Sequence, residues 1–289
     1  MENINFKHSI IFFNFCILIS PLYLMLNFEP VVFCLFLILI LGISHGALDN
    51  IKGKKLLKLF GYKQNVSFYL GYVLISSLII IFWLIFPNTI LLLFLIVAAY
   101  HFGKEDTVFS FRKKFFISEC LFFFKGSTVI MAPLLLKREE TNEIFRILNF
   151  NVFEAEFFSN EFLIGMLCLG FLSSMYISKK ENTNLKSVMI MDFFSLIILN
   201  LFLSPILAFT LYFCFLHSIR HLFDEKIKLK FTTKKLIKAT LPLTLITTII
   251  MICIYYMIKD FEYIYISLLF IILSCLTVPH MLLVNFTKS

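Results

Sequence analysis

The sequence predicts an all-α protein: a polytopic membrane bundle of about eight to ten transmembrane helices, in one domain over residues 1–289. Three observations carry that prediction. The chain is 60% hydrophobic and only 15% charged, with a mean hydropathy of +0.92, whereas soluble domains average about 45–50% apolar and about 25% charged. Apolar runs approaching the ~20 residues that a helix needs to cross a bilayer recur from one end to the other. Lysines and arginines crowd into alternate loops between those runs, the bias that orients membrane helices.

In chain order the runs are 9–28, 31–45, 66–86, 90–102, 115–136, 162–177, 187–203, 206–222, 236–258 and 263–286. The first follows Lys7 and has no small-residue cleavage site, so it reads as a retained span rather than a signal peptide. The fourth and sixth are short, and merging or re-entrance would bring ten spans down to eight. Pro21, Pro133, Pro205, Pro242 and Pro279 fall in or between spans, where neighbouring helices let a membrane helix tolerate a kink.

The loops assign an orientation. Lys52, Lys54, Lys55, Lys58 and Lys63 follow the second span; Lys104, Arg112, Lys113 and Lys114 follow the fourth. Lys179, Lys180 and Lys186 follow the sixth, and Lys226, Lys228, Lys230, Lys234, Lys235 and Lys238 the eighth. Only Lys137, Arg138, Arg146 and Lys259 follow odd-numbered spans. Both termini are therefore expected in the cytoplasm, with the protein in the cell inner membrane. Topology accounts for the net charge of +8, and no nucleic-acid partner is implied. The outer segment 137–160 is acidic with interleaved Ile, Phe and Leu, and reads as an amphipathic interfacial stretch. The seven cysteines are scattered through apolar runs without a CxxC, and read as small buried hydrophobes.

Ionisable groups inside a membrane are costly and usually mark a site. The stretch "FCFLHSIRHLFDE", 213–225, closes the eighth run with His217, Arg220 and His221. Spacing of i and i+4 puts both imidazoles on one helix face. His45 in "GISHGALDN", His101 in "AAYHFGKED" and His280 in "LTVPHMLLV" lie on spans two, four and ten. These spans and the eighth all run inward. By helix rise, His45, His101 and His280 stand about 5–12 Å from the first charge at the inner end. Five histidines on four helices thus share one depth. His8, at the start of the chain, is read as solvated and without a role. Imidazoles without cysteines suit Fe, Cu, Ni or Zn. Asp49 follows His45 by four, Glu105 and Asp106 follow His101, and Asp224 and Glu225 follow His221. Such carboxylates can orient ligand rings. Spacing points to a metal site of three to four histidines and names no reaction.

The blocks "HGALDN" (45–50), "HFGKED" (101–106), "HSIRH" (217–221) and "PHM" (279–281) resemble, in order and spacing, those of the Brp/Blh family of membrane β-carotene 15,15'-dioxygenases, from about residue 42 to the C-terminus. The resemblance implies an Fe(2+) enzyme that splits the central double bond of β-carotene, or a related carotenoid, with O2 to give two retinals. It implies His45, His101, His217 and His221 as iron ligands, with His280 auxiliary. Asp49 and Asp106 would offset the charge of a metal held by neutral imidazoles. The lipid bilayer would deliver the substrate, and a retinal-binding rhodopsin is an implied functional partner. Asn50 stands where the family block usually ends in His. Asn is a poor metal ligand, so the difference bears on substrate or rate.

Other readings compete. A haem- or metal-binding membrane protein or transporter without oxygenase activity would use paired histidines, such as His217 with His280. A retinal-binding pigment would need a mid-membrane lysine such as Lys125, which reads more simply as paired with an acid or lining a cavity. A desaturase would carry several histidine boxes, and this chain has one HxxxH. Asp192 and Glu119 either support the site or face water. The order of the motifs favours the oxygenase. β-Carotene is about as long as the ~30 Å hydrocarbon core. A site in the inner half therefore predicts a tilted or flat-lying substrate, in an apolar tunnel open sideways to lipid.

Overall fold

Every regular element among the described residues of the computed structural model (2–25, 31–59, 61, 66–109, 111, 115–148, 150, 158–258 and 264–288) is helical. The order is α1 (Glu2–Met25), α2 (Val31–Leu37), α3 (Asp49–Leu59), α4 (Val66–Ile85), α5 (Pro87–Glu105), α6 (Phe115–Leu136) and α7 (Arg138–Ile147). Then follow α8 (Asn160–Ile177), α9 (Thr183–Phe202), α10 (Pro205–Leu211), α11 (Ile219–Lys228), α12 (Thr233–Ile258) and α13 (Ile264–Lys288). Nine stretches among the described residues are long and apolar enough to cross a membrane. They match nine of the ten expected runs; the remaining run lies on α12, which is 26 residues long.

Two inner ends differ most from the sequence reading, and for one reason. The second span continues from Val31 to Lys58 and the eighth from Pro205 to Lys228, well past His45 and Leu222, where the apolar runs end among polar residues. Those polar groups find partners inside the bundle, so the helices need not stop where the apolar run does. α2 reaches α3 through a π-helical turn, Ile38–Gly42, and a 3-10 turn, Ile43–Leu48; α10 reaches α11 through a second π-turn, Tyr212–Ser218.

Small residues set the closest packing, as membrane bundles require when lipid is as apolar as leucine. A Cβ on Gly103 of α5 would run into the Phe122 carbonyl of α6, and one on Gly126 of α6 into the Ala99 carbonyl of α5. α8 closes on α6 where Gly170 faces Thr128. Large side chains on α1, α4 and α12, among them Leu18, Leu74 and Ile249, point outward, as a lipid-facing surface demands. The amphipathic reading of 137–160 corresponds to α7, whose Thr141, Asn142 and Phe145 are buried against the bundle. Arg138 pins its start, donating to Asn160 Oδ1 at 2.8 Å and to the Phe158 carbonyl at 2.6 Å. Glu154 and Glu156 of that stretch lie outside the described residues.

Candidate functional site

The two π-turns face each other at the level of the histidines. A π-turn widens the helix and releases backbone groups from their usual partners, and such turns concentrate at functional sites. Here two carbonyls of the turns accept from side chains. Ser218 Oγ donates to the Gly42 carbonyl at 3.3 Å, and His8 Nε2 donates to the Phe215 carbonyl at 2.9 Å. His8 is therefore not a solvated residue at the chain start. It ties α1 to the second π-turn.

His101 on α5, His217 on that π-turn, His221 on α11 and His280 on α13 are all buried. The His101 ring meets those of His217 and His280 edge to face, each with centroids 5.3 Å apart, and the His221 ring lies 5.7 Å from that of His280. His280, expected only as an auxiliary residue, stands as close to His101 as His217 does. His45 lies on the 3-10 turn; its side chain is outside the described residues.

Carboxylates orient these rings, but not the ones nearest in sequence. Asp106 accepts from His217 Nδ1 at 2.8 Å, Asp49 from His280 Nδ1 at 2.8 Å, and Glu105 Oε2 lies 3.1 Å from His221 Nδ1. A carboxylate that accepts at Nδ1 fixes the tautomer with Nε2 as the lone-pair nitrogen, the form a metal ligand needs. The carboxylates are themselves held. Tyr212 donates to Asp106 Oδ2 at 2.6 Å, and Tyr72 to Asp49 Oδ2 at 3.3 Å. On the far side of His221, Lys52 Nζ lies 3.5 Å from Nε2 and 3.3 Å from Glu225.

Beneath the cluster, Arg220 donates to both oxygens of Asp192, at 2.6 and 3.1 Å, and to Ser9 Oγ at 2.8 Å. This buried charge pair locks α1, α9 and α11 together, so Asp192 faces the interior and not water. Lys125 donates to Thr107 Oγ1 at 3.0 Å and to the Gly103 carbonyl at 3.3 Å. It lines a small chamber with Asp106 and Asp192. Glu119 stands 4.0 Å from Lys104.

Two larger cavities flank the cluster. The first, about 300 Å³, lies between α4, α12, α13 and the turns around Gly42, and is reached by Asp49, Asn50, Tyr72 and His280. The second, about 100 Å³, is almost wholly apolar and climbs α5 from Phe102 to Phe94, roofed by Thr141, Ile144 and Phe145 of α7. That climb is about 12 Å by helix rise. The two cavities share Phe213, Leu273 and Thr277 in their walls; the first lies at the level of the histidines, and the second leads away from it along α5.

The sequence profile of the family described as Beta-carotene 15,15'-dioxygenase matches residues 36–288. This chain belongs to the β-carotene 15,15'-dioxygenase family. A protein named Beta-carotene 15,15'-dioxygenase, from uncultured marine bacterium 66A03, is 27% identical over 274 residues, which cover 87% of this chain and 92% of that one. No solved structure matches.

In this dioxygenase-family chain the donor chemistry fits a histidine-bound transition metal: buried imidazoles, three of them oriented by carboxylates, and no cysteine among them. Among the described residues, no three His, Cys, Asp or Glu side chains converge closely enough to hold an ion as they stand. Sequence reasoning missed Tyr72, Tyr212 and Ser9. The signal available was a hydroxyl inside an apolar run, which is too common in membrane helices to single them out.

Proposed function

We propose that this chain is an iron(II)-dependent membrane dioxygenase that splits β-carotene at its central double bond with O2, giving two molecules of retinal. The observation that carries the reading is the set of crossed carboxylate–histidine pairs: three carboxylates from distant segments orient three buried imidazoles around His101, beside a cavity that His280 lines. His101, His217, His221 and His280, with His45, would hold the iron. Asp49, Glu105 and Asp106 keep the Nδ1 protons in place and offset the metal's charge. Redox activation of O2 is the chemistry that iron would supply when bound.

Overall, one carbon–carbon double bond and one O2 become two aldehyde groups. Both oxygen atoms end in product, and the balance needs no outside proton or reductant. The site must therefore present metal donors and dry, shaped apolar space, and these residues supply both. β-Carotene enters from the bilayer, retinal leaves to a retinal-binding protein such as a rhodopsin, and both termini face the cytoplasm of the inner membrane.

Expression in cells that accumulate β-carotene tests the reading. The cells should bleach and accumulate retinal, and His101→Ala, His217→Ala or His280→Ala should abolish bleaching and lower bound iron together. Persistent orange colour with the protein present in the membrane would overturn it. A Soret band in the purified protein would point instead to a haem-binding role.

A further inference from the structure

One side chain, Phe213, forms part of the wall of both cavities, together with Leu273 and Thr277 of α13. Its ring is buried and stacked on two neighbours: Phe209, at 5.4 Å and 9°, and the His217 imidazole, at 5.7 Å and 14°. Gly42 closes the first π-turn directly against it, and a Cβ there would overlap the Phe213 ring. The two wide turns therefore meet at this ring, and one of them needs glycine for the ring to fit. The ring stands between two chambers beside a histidine of the cluster.

The chambers differ in chemistry. Asp49, Asn50, Tyr72 and His280 reach the first, and Asn50 Oδ1 is buried there without a hydrogen-bond partner. The second is walled by residues such as Phe94, Leu95 and Ile206. A long apolar polyene reaching from one to the other must cross at Phe213, and at that point it lies next to His217. A rod whose halves occupy chambers on either side of a fixed ring cannot slide freely. The place of the ring decides which double bond stands at the histidines.

We propose that Phe213 sets the position of cleavage: it divides the substrate path into two chambers, one for each half of a long polyene, and holds the bond to be cut beside His217. This rests on the carotenoid-cleaving reading above, and Phe213 acts in it as a positioning residue. One extra or missing apolar group in a pocket discriminates substrates by about tenfold or more, and removing the ring takes away several.

The test measures product position as well as rate. Wild type, Phe213→Ala, Phe213→Leu and Leu273→Ala are expressed in cells that accumulate β-carotene, with membrane levels checked by immunoblot. Retinal and longer apocarotenals are then separated by chromatography. Phe213→Ala should lower the ratio of retinal to longer apocarotenals by about tenfold or more, Leu273→Ala should shift it the same way by less, and Phe213→Leu should lie between wild type and Ala. If Phe213→Ala is inactive or absent from the membrane, the other two variants decide. Product amounts that fall at an unchanged ratio would reduce Phe213 to a packing residue and overturn the proposal. A wild type that yields retinal while every ratio holds constant removes only the role of Phe213. A wild type that yields no aldehyde removes the carotenoid-cleaving reading along with it.

Discussion

Asp49 illustrates how single residues are used here. It sits four positions after His45, yet its carboxylate accepts from His280 Nδ1, at 2.8 Å to each oxygen. Asp106 does the same for His217 while accepting from Tyr212. Removing the charge while keeping the shape separates orientation from mere packing. Asp49→Asn and Asp106→Asn should each weaken iron binding by about 10–100-fold, read as iron retained under graded chelation, with the fold intact. Full iron retention in both, alongside loss in His217→Ala and His280→Ala, would mean the rings do not depend on their carboxylates.

Among the elements, the α5–α6 contact positions the site most directly, because His101 is two residues from Gly103. A Cβ on Gly103 meets the carbonyl oxygen and carbon of Phe122 and the Gly126 nitrogen, all backbone atoms that cannot swing aside. Gly103→Ala must push the helices apart, at a cost of about 1–3 kcal/mol for overpacking. A Cβ on Gly71 of α4 would meet nothing within 4 Å, so Gly71→Ala should be neutral or gain about 0.5–1 kcal/mol. Thermal unfolding in detergent should show opposite signs. Equal behaviour of the two variants would show that the close approach contributes nothing. The π-turns belong to the same scale: Ile38–Gly42 and Tyr212–Ser218 interrupt α-helical hydrogen bonding where His8, Ser218 and Phe213 make contacts that a regular helix would not offer.

For the whole molecule, the buried Arg220–Asp192–Ser9 triad joins α1 to α9 and α11. Deleting one member of a buried pair strands a charge, at about 3–5 kcal/mol, whereas an apolar replacement of both is often tolerated. Arg220→Met should lower the melting temperature sharply, and Arg220→Met with Asp192→Leu should recover most of the loss. A double variant no better than the single would show that the pair is valued for more than charge neutrality. Orientation is tested at this scale too. Reporter fusions after Lys180 and Lys230 should report cytoplasm, and a fusion after Glu140 the opposite side; reversed signals would invert the bundle.

Composition and charge determined by themselves that the chain is a helical membrane bundle and roughly where its spans lie, and the positions of the histidines on those spans marked His45, His101, His217, His221 and His280 as the residues to examine. Those properties are legible because hydropathy and the lysine and arginine bias act locally, summed over about twenty residues at a time. The motif blocks marked the family for a similar reason: each is a short contiguous string. What only the tertiary structure decided is who partners whom. Asp49 reaches His280 across 231 positions, Asp106 reaches His217 across 111, and His8 reaches the Phe215 carbonyl across 207. None of these has a periodic signature, because each depends on how close two helices approach and at what rotation. Glycines at contacts and two π-turns set those quantities, and a π-turn looks in sequence like any other apolar helix. The shared wall of the two cavities has the same origin: it follows from where Phe213, Leu273 and Thr277 meet in space, which no window of the chain contains.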